Sequence, residues 1–249
     1  MKKTLIALLA LGSVTMADTT TYTPLTSSAD WTTGHNNPSK GKVPSINNED
    51  GVLTYTSGDW SRGYAHYSFA DSGLTLEKPG DSLTITFTIE TSNTNCVDTL
   101  TLIGSDKAIT LGAGNYGTNV QLGTSTTTTG NFYNYKDNSD ANGRVKSDVV
   151  GSVGTIAANT PVVLTMAIAW DDTKNQFVAT ATGTSSQTVD LGTSYTLSAL
   201  NLSVDGSSLQ KMSALSVAYT TTTDPAPEPT TGALSLLALA GMVARRRRK

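Results

Sequence analysis

Between Leu83 and Glu90 the chain alternates residue by residue: Leu83, Ile85, Phe87 and Ile89 fall on one side, Thr84, Thr86, Thr88 and Glu90 on the other. A period of two gathers the four apolar side chains on one face of a strand and scatters them around a helix. Such a strand must pair with others and lay its apolar face on a core. The pattern recurs at Val162, Leu164, Met166, Ile168 and Trp170, and returns at Phe177, Ala179 and Ala181 after the turn-forming run Asp171-Asp172-Thr173-Lys174-Asn175. That arrangement predicts a β-hairpin over 162–182, with Trp170 in the core. Leu200, Leu202 and Val204 begin another strand, and Leu215, Val217 and Tyr219 a closing one. Weaker strands are expected around 53–55, 64–69, 100–103 and 109–111, giving about ten to twelve strands in all.

Composition agrees with this pattern. Abundant Thr and Gly favour strands and tight turns, and no segment carries a convincing helical period before the C-terminal tail. The expectation is an all-β antiparallel sandwich over residues 18–222, held by packing, because Cys96 is the only cysteine and no disulfide within the chain can form. Cys96 reads as a structural, partly buried thiol with no histidine near it in sequence. The formal charge of −3 conceals an asymmetry, since Lys2, Lys3 and the five terminal basic residues are seven of the 17. Residues 18–244 hold 10 basic residues against all 20 acidic ones, a net charge of −10. An acidic body repels phosphate backbones, so no nucleic-acid partner is expected.

The hairpin at 162–182 followed by the closing strand at 213–220 resembles the later part of concanavalin A-like, or laminin-G-like, jelly rolls. There an apolar strand ending in an aromatic, an Asp/Asn/Gly turn and a returning strand are typical. The resemblance implies a jelly-roll sandwich and leaves function open.

Both ends of the chain read as addresses. In residues 1–17, Lys2 and Lys3 precede an apolar run from Leu5 to Leu11 that is too short to span a bilayer, and Thr15-Met16-Ala17 suits cleavage before Asp18. No cysteine follows that run, so the reading is a signal peptide without a lipid anchor. At the other end, Asp224 to Pro229 carries three prolines and cannot be helix or central strand. The apolar run Gly232–Ala244 follows, and then Arg245, Arg246, Arg247, Arg248 and Lys249. That run reaches about 20 Å against a hydrocarbon core of about 30 Å, which suits a temporary hold. The basic cluster orients it, keeping the tail cytoplasmic and the body outside.

This order of parts closely resembles the PEP-CTERM sorting signal of Gram-negative bacteria. The resemblance implies that Pro227, Glu228 and Pro229 are the motif recognised by an exosortase, within a linker at 223–231. It also makes 232–249 a short membrane helix with a basic tail. The implied partners are the export machinery, signal peptidase and exosortase. The implied location is the inner membrane during sorting, then the cell surface, outer envelope or extracellular space.

Signs of catalysis are sparse. The body has only Glu49, Glu77 and Glu90, each isolated, and the Asp pairs Asp137/Asp140 and Asp171/Asp172 lie in turn-like sequence. The paired carboxylates that glycoside hydrolysis needs have no sequence signature here, and no nucleophile elbow, phosphate loop or zinc spacing occurs. The expectation is a protein that is not an enzyme and needs no cofactor; a divergent glycan-active enzyme is the alternative. Polysaccharide binding asks for less: an aromatic surface with a few hydrogen-bonding groups. Trp60, Tyr64 and His66 in one cluster, with Tyr133 and Tyr135 in another, are the candidate contacts. Within the first, alternation sends Ala65, Tyr67 and Phe69 inward and leaves Tyr64 and His66 outward. Asn138, Asp140 and Asn142 stand at alternate positions before Gly143, like the first half of a calcium loop; with Val149 in the twelfth position they could hold Ca2+ only weakly. The remaining alternative is a purely structural envelope component without a ligand site.

Overall fold

The computed structural model describes residues 16–35, 45–47, 51–55, 61–69, 73–92, 97–113, 118–126, 131–133, 144–206 and 210–223. Eighteen strands occur among them. One sheet has the order β16 (Ser186–Gly192), β15 (Gln176–Thr182), β14 (Val162–Asp171), β7 (Ser82–Thr91), β18 (Gln210–Thr223), β4 (Val52–Tyr55) and β3 (Ser45–Asn47), with β1 (Met16–Tyr22) also on β18. The second has the order β13 (Asp148–Thr155), β10 (Asn119–Ser125), β9 (Ala108–Ala113), β8 (Val97–Gly104), β17 (Tyr195–Gly206), β5 (Ser61–Ser68) and β2 (Trp31–His35), with β6 (Leu74–Leu76) on β17. A separate parallel pair joins β11 (Asn131–Tyr133) to β12 (Arg144–Lys146).

The two large sheets are antiparallel and make a β-sandwich. The chain crosses from one sheet to the other after β1, β2, β4, β6, β7, β13, β16 and β17, which is the wrapping of a jelly roll. The chain divides into two compact units, 19–221 with the sandwich and a second of Met1–Asp18 with Thr222–Lys249. Of that second unit only 16–18 and 222–223 are described, and there Thr223 Oγ1 donates to the Met16 carbonyl at 3.0 Å. Residues 1–15 of the predicted signal peptide, Cys96 and everything from Asp224 onward, including the predicted membrane helix, lie outside the described residues. Among the described residues no helix is long and apolar enough to cross a membrane.

The alternating segments build the core as their period requires. Leu83, Ile85, Phe87 and Ile89 are buried, and in register they face Ile168, Met166, Leu164 and Val162 of β14 on one side. On the other, Leu83, Ile85 and Ile89 are opposite Tyr219, Val217 and Met212 of β18. The predicted hairpin is present. Asp171 Oδ1 accepts from the backbone N–H groups of Thr173 and Lys174 at 2.8 and 3.0 Å, and Asn175 takes the left-handed conformation at φ 53°. Trp170 packs edge-on against Phe177, ring centroids 5.2 Å apart, at the rim of the core.

Hydrogen bonds among the described residues tie the sheets together. Tyr219 Oη donates to the Thr75 carbonyl at 2.6 Å, Ser185 N donates to the Val153 carbonyl at 3.0 Å, and Lys107 Nζ donates to the Asp190 carbonyl at 2.7 Å. Closure along β13 and β16 leaves less open strand edge for stray pairing. At one end Trp31, Tyr67, Phe69 and Tyr22 stack in succession with centroids 5.2–5.6 Å apart, and Trp31 Nε1 donates to the Pro24 carbonyl at 2.7 Å.

A polar floor on the outer face of the second sheet

In the second sheet Leu100, Leu102, Leu200, Leu202, Ile109 and Leu111 point into the sandwich. The residues between them therefore point outward. Register aligns these into rows. One runs Thr32, His66, Asn201, Thr101, Thr110, Gly123, and the next Gly34, Tyr64, Ser203, Thr99, Gly112, Gln121. Neither row contains an acidic or basic residue other than His66. Neighbours in a row stand about 4.5–5.5 Å apart at Cβ, so the rows form a continuous floor of hydroxyl, amide, imidazole and phenol groups.

Outward residues of a sheet are ordinarily wet, yet the middle of this floor is covered. Thr99, Thr101, Thr110 and Ser203 are fully buried and Asn201 is 2% exposed. Ile103, Ala108 and Ala199 form a small apolar cluster of their own beside them, separate from the main core. The cover includes β11, which packs against β8 and β17 without pairing into their sheet. Because the inner faces of β8 and β17 are filled by the sandwich core, β11 lies on their outer faces.

Polar groups under a cover need partners. Ser203 Oγ donates to Asn201 Oδ1 at 2.8 Å, and Thr99, Thr110 and Asn201 all engage partners. Thr101 does not. Among the described residues Thr101 Oγ1, Ser147 Oγ and Tyr195 Oη are buried side-chain oxygens without a hydrogen-bond partner. An unmade bond of this kind costs about 1–3 kcal/mol. Ser147 sits where the chain leaves β12 for β13.

Towards β5 the floor opens. Tyr64 and His66 are half-buried, two residues apart on the outer face, as alternation predicts. Burial lowers the His66 pKa from 6.5, so near neutral pH the ring offers one N–H donor and one acceptor nitrogen. Ala65 and Phe69 are buried in the core and Tyr67 packs against it, also as expected.

Of the other candidate contacts, Tyr133 falls in β11. The two aromatic segments thus meet at β17, with β5 paired to it and β11 packed on it. Trp60, Tyr135, the calcium-loop residues Asn138, Asp140 and Asn142, the Pro227-Glu228-Pro229 motif and the basic tail 245–249 lie outside the described residues. Among the described residues no three His, Cys, Asp or Glu side chains gather as a metal cluster. A shallow depression of about 410 Å³ beside Leu25 and Leu215, where β18 bulges at Ala214, contains none of the predicted contacts. Sequence reasoning missed Thr99, Thr101, Thr110, Asn201 and Ser203, which look like ordinary solvent-facing positions until register and cover are known.

No family model and no curated protein matches this chain. Among solved structures it is similar to a galectin-like protein of Bacillus subtilis, at 10% identity and TM-score 0.49 over 80% of this chain and 94% of that one. A seed lectin of Lotus tetragonolobus is similar at 9% identity and TM-score 0.44, over 84% and 100%. The PL-14 alginate lyase of Aplysia kurodai is similar at 10% identity and TM-score 0.42, over 69% and 82%. At such identities the fold class rests on this chain's own strand order, and function has to be argued from its own residues.

Proposed function

We propose that this chain is an exported, membrane-sorted surface or matrix protein whose sandwich binds polysaccharide without catalysis. The observation that supports binding is the pairing of Tyr64 and His66 at the open margin of the polar floor. A phenol ring presents an apolar face to sugar C–H groups, while the His66 imidazole, two residues away on the same face, supplies hydrogen bonds beside it. The non-catalytic reading is supported by the absence of Asp and Glu from both rows of the floor. A glycan array with the purified full-length chain, with and without calcium, tests binding; no bound glycan under either condition would count against it.

Export and sorting rest on the order of parts at the two ends, with signal peptidase and an exosortase as processing partners and the inner membrane as a transient site. Replacing Pro227, Glu228 and Pro229 by alanine should leave unprocessed protein in the inner membrane. Normal processing of that variant would refute the sorting role. The covered middle of the floor favours a second reading, a structural envelope component whose polar face is sealed by its own chain.

A further inference from the structure

A surface sealed for good would be expected to be apolar, as the small cluster of Ile103, Ala108 and Ala199 is. The two rows beside that cluster are polar instead, and the Thr101 hydroxyl under the cover is left without a partner. The cover itself is weakly built. Among the described residues β11 and β12 pair in parallel through three residue pairs, Asn131–Arg144, Phe132–Val145 and Tyr133–Lys146. So small a two-stranded pair has little stability of its own and belongs to the parts of a fold that open first.

We propose that the β11–β12 pair is a displaceable cover, and that a neutral glycan takes its place on the floor with Thr101 Oγ1 as a contact kept for it. This rests on the polysaccharide-binding reading above and adds the route and the ligand class. The route follows from register: Asn201 lies directly opposite His66, Thr101 opposite Asn201, and Thr110 opposite Thr101. A glycan resting on the Tyr64–His66 margin meets these groups in order as it extends inward, over about 14 Å of sheet. That length takes a chain of several sugar units, and it is available only if β11 moves off β8 and β17. Neutrality follows from charge. The two rows hold no lysine or arginine for a carboxylate or sulfate, Arg62 in the next row stands in register opposite Asp205, and the body at 18–222 carries 10 basic against 18 acidic residues, a net −8.

The test uses the full-length chain, its Val145→Pro variant, which breaks the β11–β12 ladder away from the floor, and its Thr101→Val variant. Each is titrated by calorimetry with cellohexaose, laminarihexaose, mannohexaose and an acidic hexauronate. At least one neutral hexaose should bind the unaltered chain, and V145P should bind it about tenfold more tightly because the competent state no longer has to displace the cover. T101V should bind it about tenfold more weakly while melting about 2–4 °C higher, since an unpartnered hydroxyl is replaced by a methyl. The hexauronate should bind none of them.

Equal or weaker binding by folded V145P overturns the cover, and a T101V that binds like the unaltered chain overturns the Thr101 contact. Binding of the hexauronate overturns the ligand class. Should V145P fail to fold, hydrogen exchange on the unaltered chain decides. A saturating neutral hexaose should strip protection from the amides of 131–133 and 144–146, and retained protection with the sugar bound sinks the cover while leaving polysaccharide binding intact. If neither the unaltered chain nor folded V145P binds any hexaose, both this proposal and the reading beneath it fall.

Discussion

The phenol of Tyr64 occupies the space that a side chain on Gly34 would need: a Cβ there would lie 2.5 Å from Tyr64 Oη and 2.6 Å from its Cζ. The two residues are directly opposite on β5 and β2, so Gly34 makes room for the ring at the open margin of the floor. Gly34→Ala should push the ring from its place. Because Tyr64 is only half-buried it can swing away, and stability should fall by no more than about 1 kcal/mol. Glycan affinity should fall about tenfold, which titration calorimetry would record; unchanged affinity would show that the ring position does not matter.

The turn into β7 depends on one carboxylate. Asp81 is 5% exposed, and its Oδ2 accepts from the backbone N–H groups of Glu77 and Lys78 at 3.0 and 2.9 Å. Asp81→Ala removes the acceptor from two donors and should cost about 3 kcal/mol, a melting point lower by about 6–12 °C. Asp81→Asn keeps an oxygen in place and should cost clearly less. Equal losses from the two variants would mean that the carboxylate is not holding the turn.

What could be read from sequence, and what could not, divides along physical lines. The hairpin at 162–182 was legible because Leu164, Met166 and Ile168 keep a strict period and Asp171 and Asn175 are residues that make turns. The Tyr64/His66 orientation was legible for the same reason, since Ala65 and Phe69 fix the phase of β5. β10 and β13 were not, because Gly123, Gly151 and Gly154 interrupt them and register shifts break their period. The floor was illegible in principle. Asn201 and Thr101 each look solvent-facing in their own strand, and only the pairing of β8 with β17, 93 to 108 positions apart in register, puts them together. Their cover comes from a third stretch, β11, with no local signal of its destination.

Tyr195 should make the fold sensitive to alkali. Its hydroxyl is buried without a partner, and burial raises its pKa well above the ordinary 10.0. The unfolded chain therefore ionises first, so stability is full below about pH 10 and falls as pH rises beyond it, by up to about 1.4 kcal/mol per pH unit. Tyr195→Phe should flatten this part of the profile. Melting curves between pH 9 and 11 that fall in parallel for the two proteins would contradict the assignment.

His66 should act on the acid side. Because burial lowers its pKa from 6.5, the unfolded chain takes up this proton at higher pH than the folded one. The contribution is complete above about pH 6.5 and declines as pH falls below it. His66→Gln should therefore lose less stability than the unaltered chain between pH 7 and 5. The check is the difference between their melting points across that range, and a constant difference would refute it.

The Tyr64–His66 margin of the second sheet is the place proposed above for holding a glycan, and every binding prediction depends on it. This placement is tested most directly by titrating the full-length chain and its Tyr64→Ala variant with neutral hexaoses by calorimetry, with folding of both checked by circular dichroism. Saturable binding by the unaltered chain is expected, with a loss of about tenfold or more in the variant, the stacking ring being the main apolar contact. Binding of equal strength by folded Tyr64→Ala, or no binding by the unaltered chain, would contradict it.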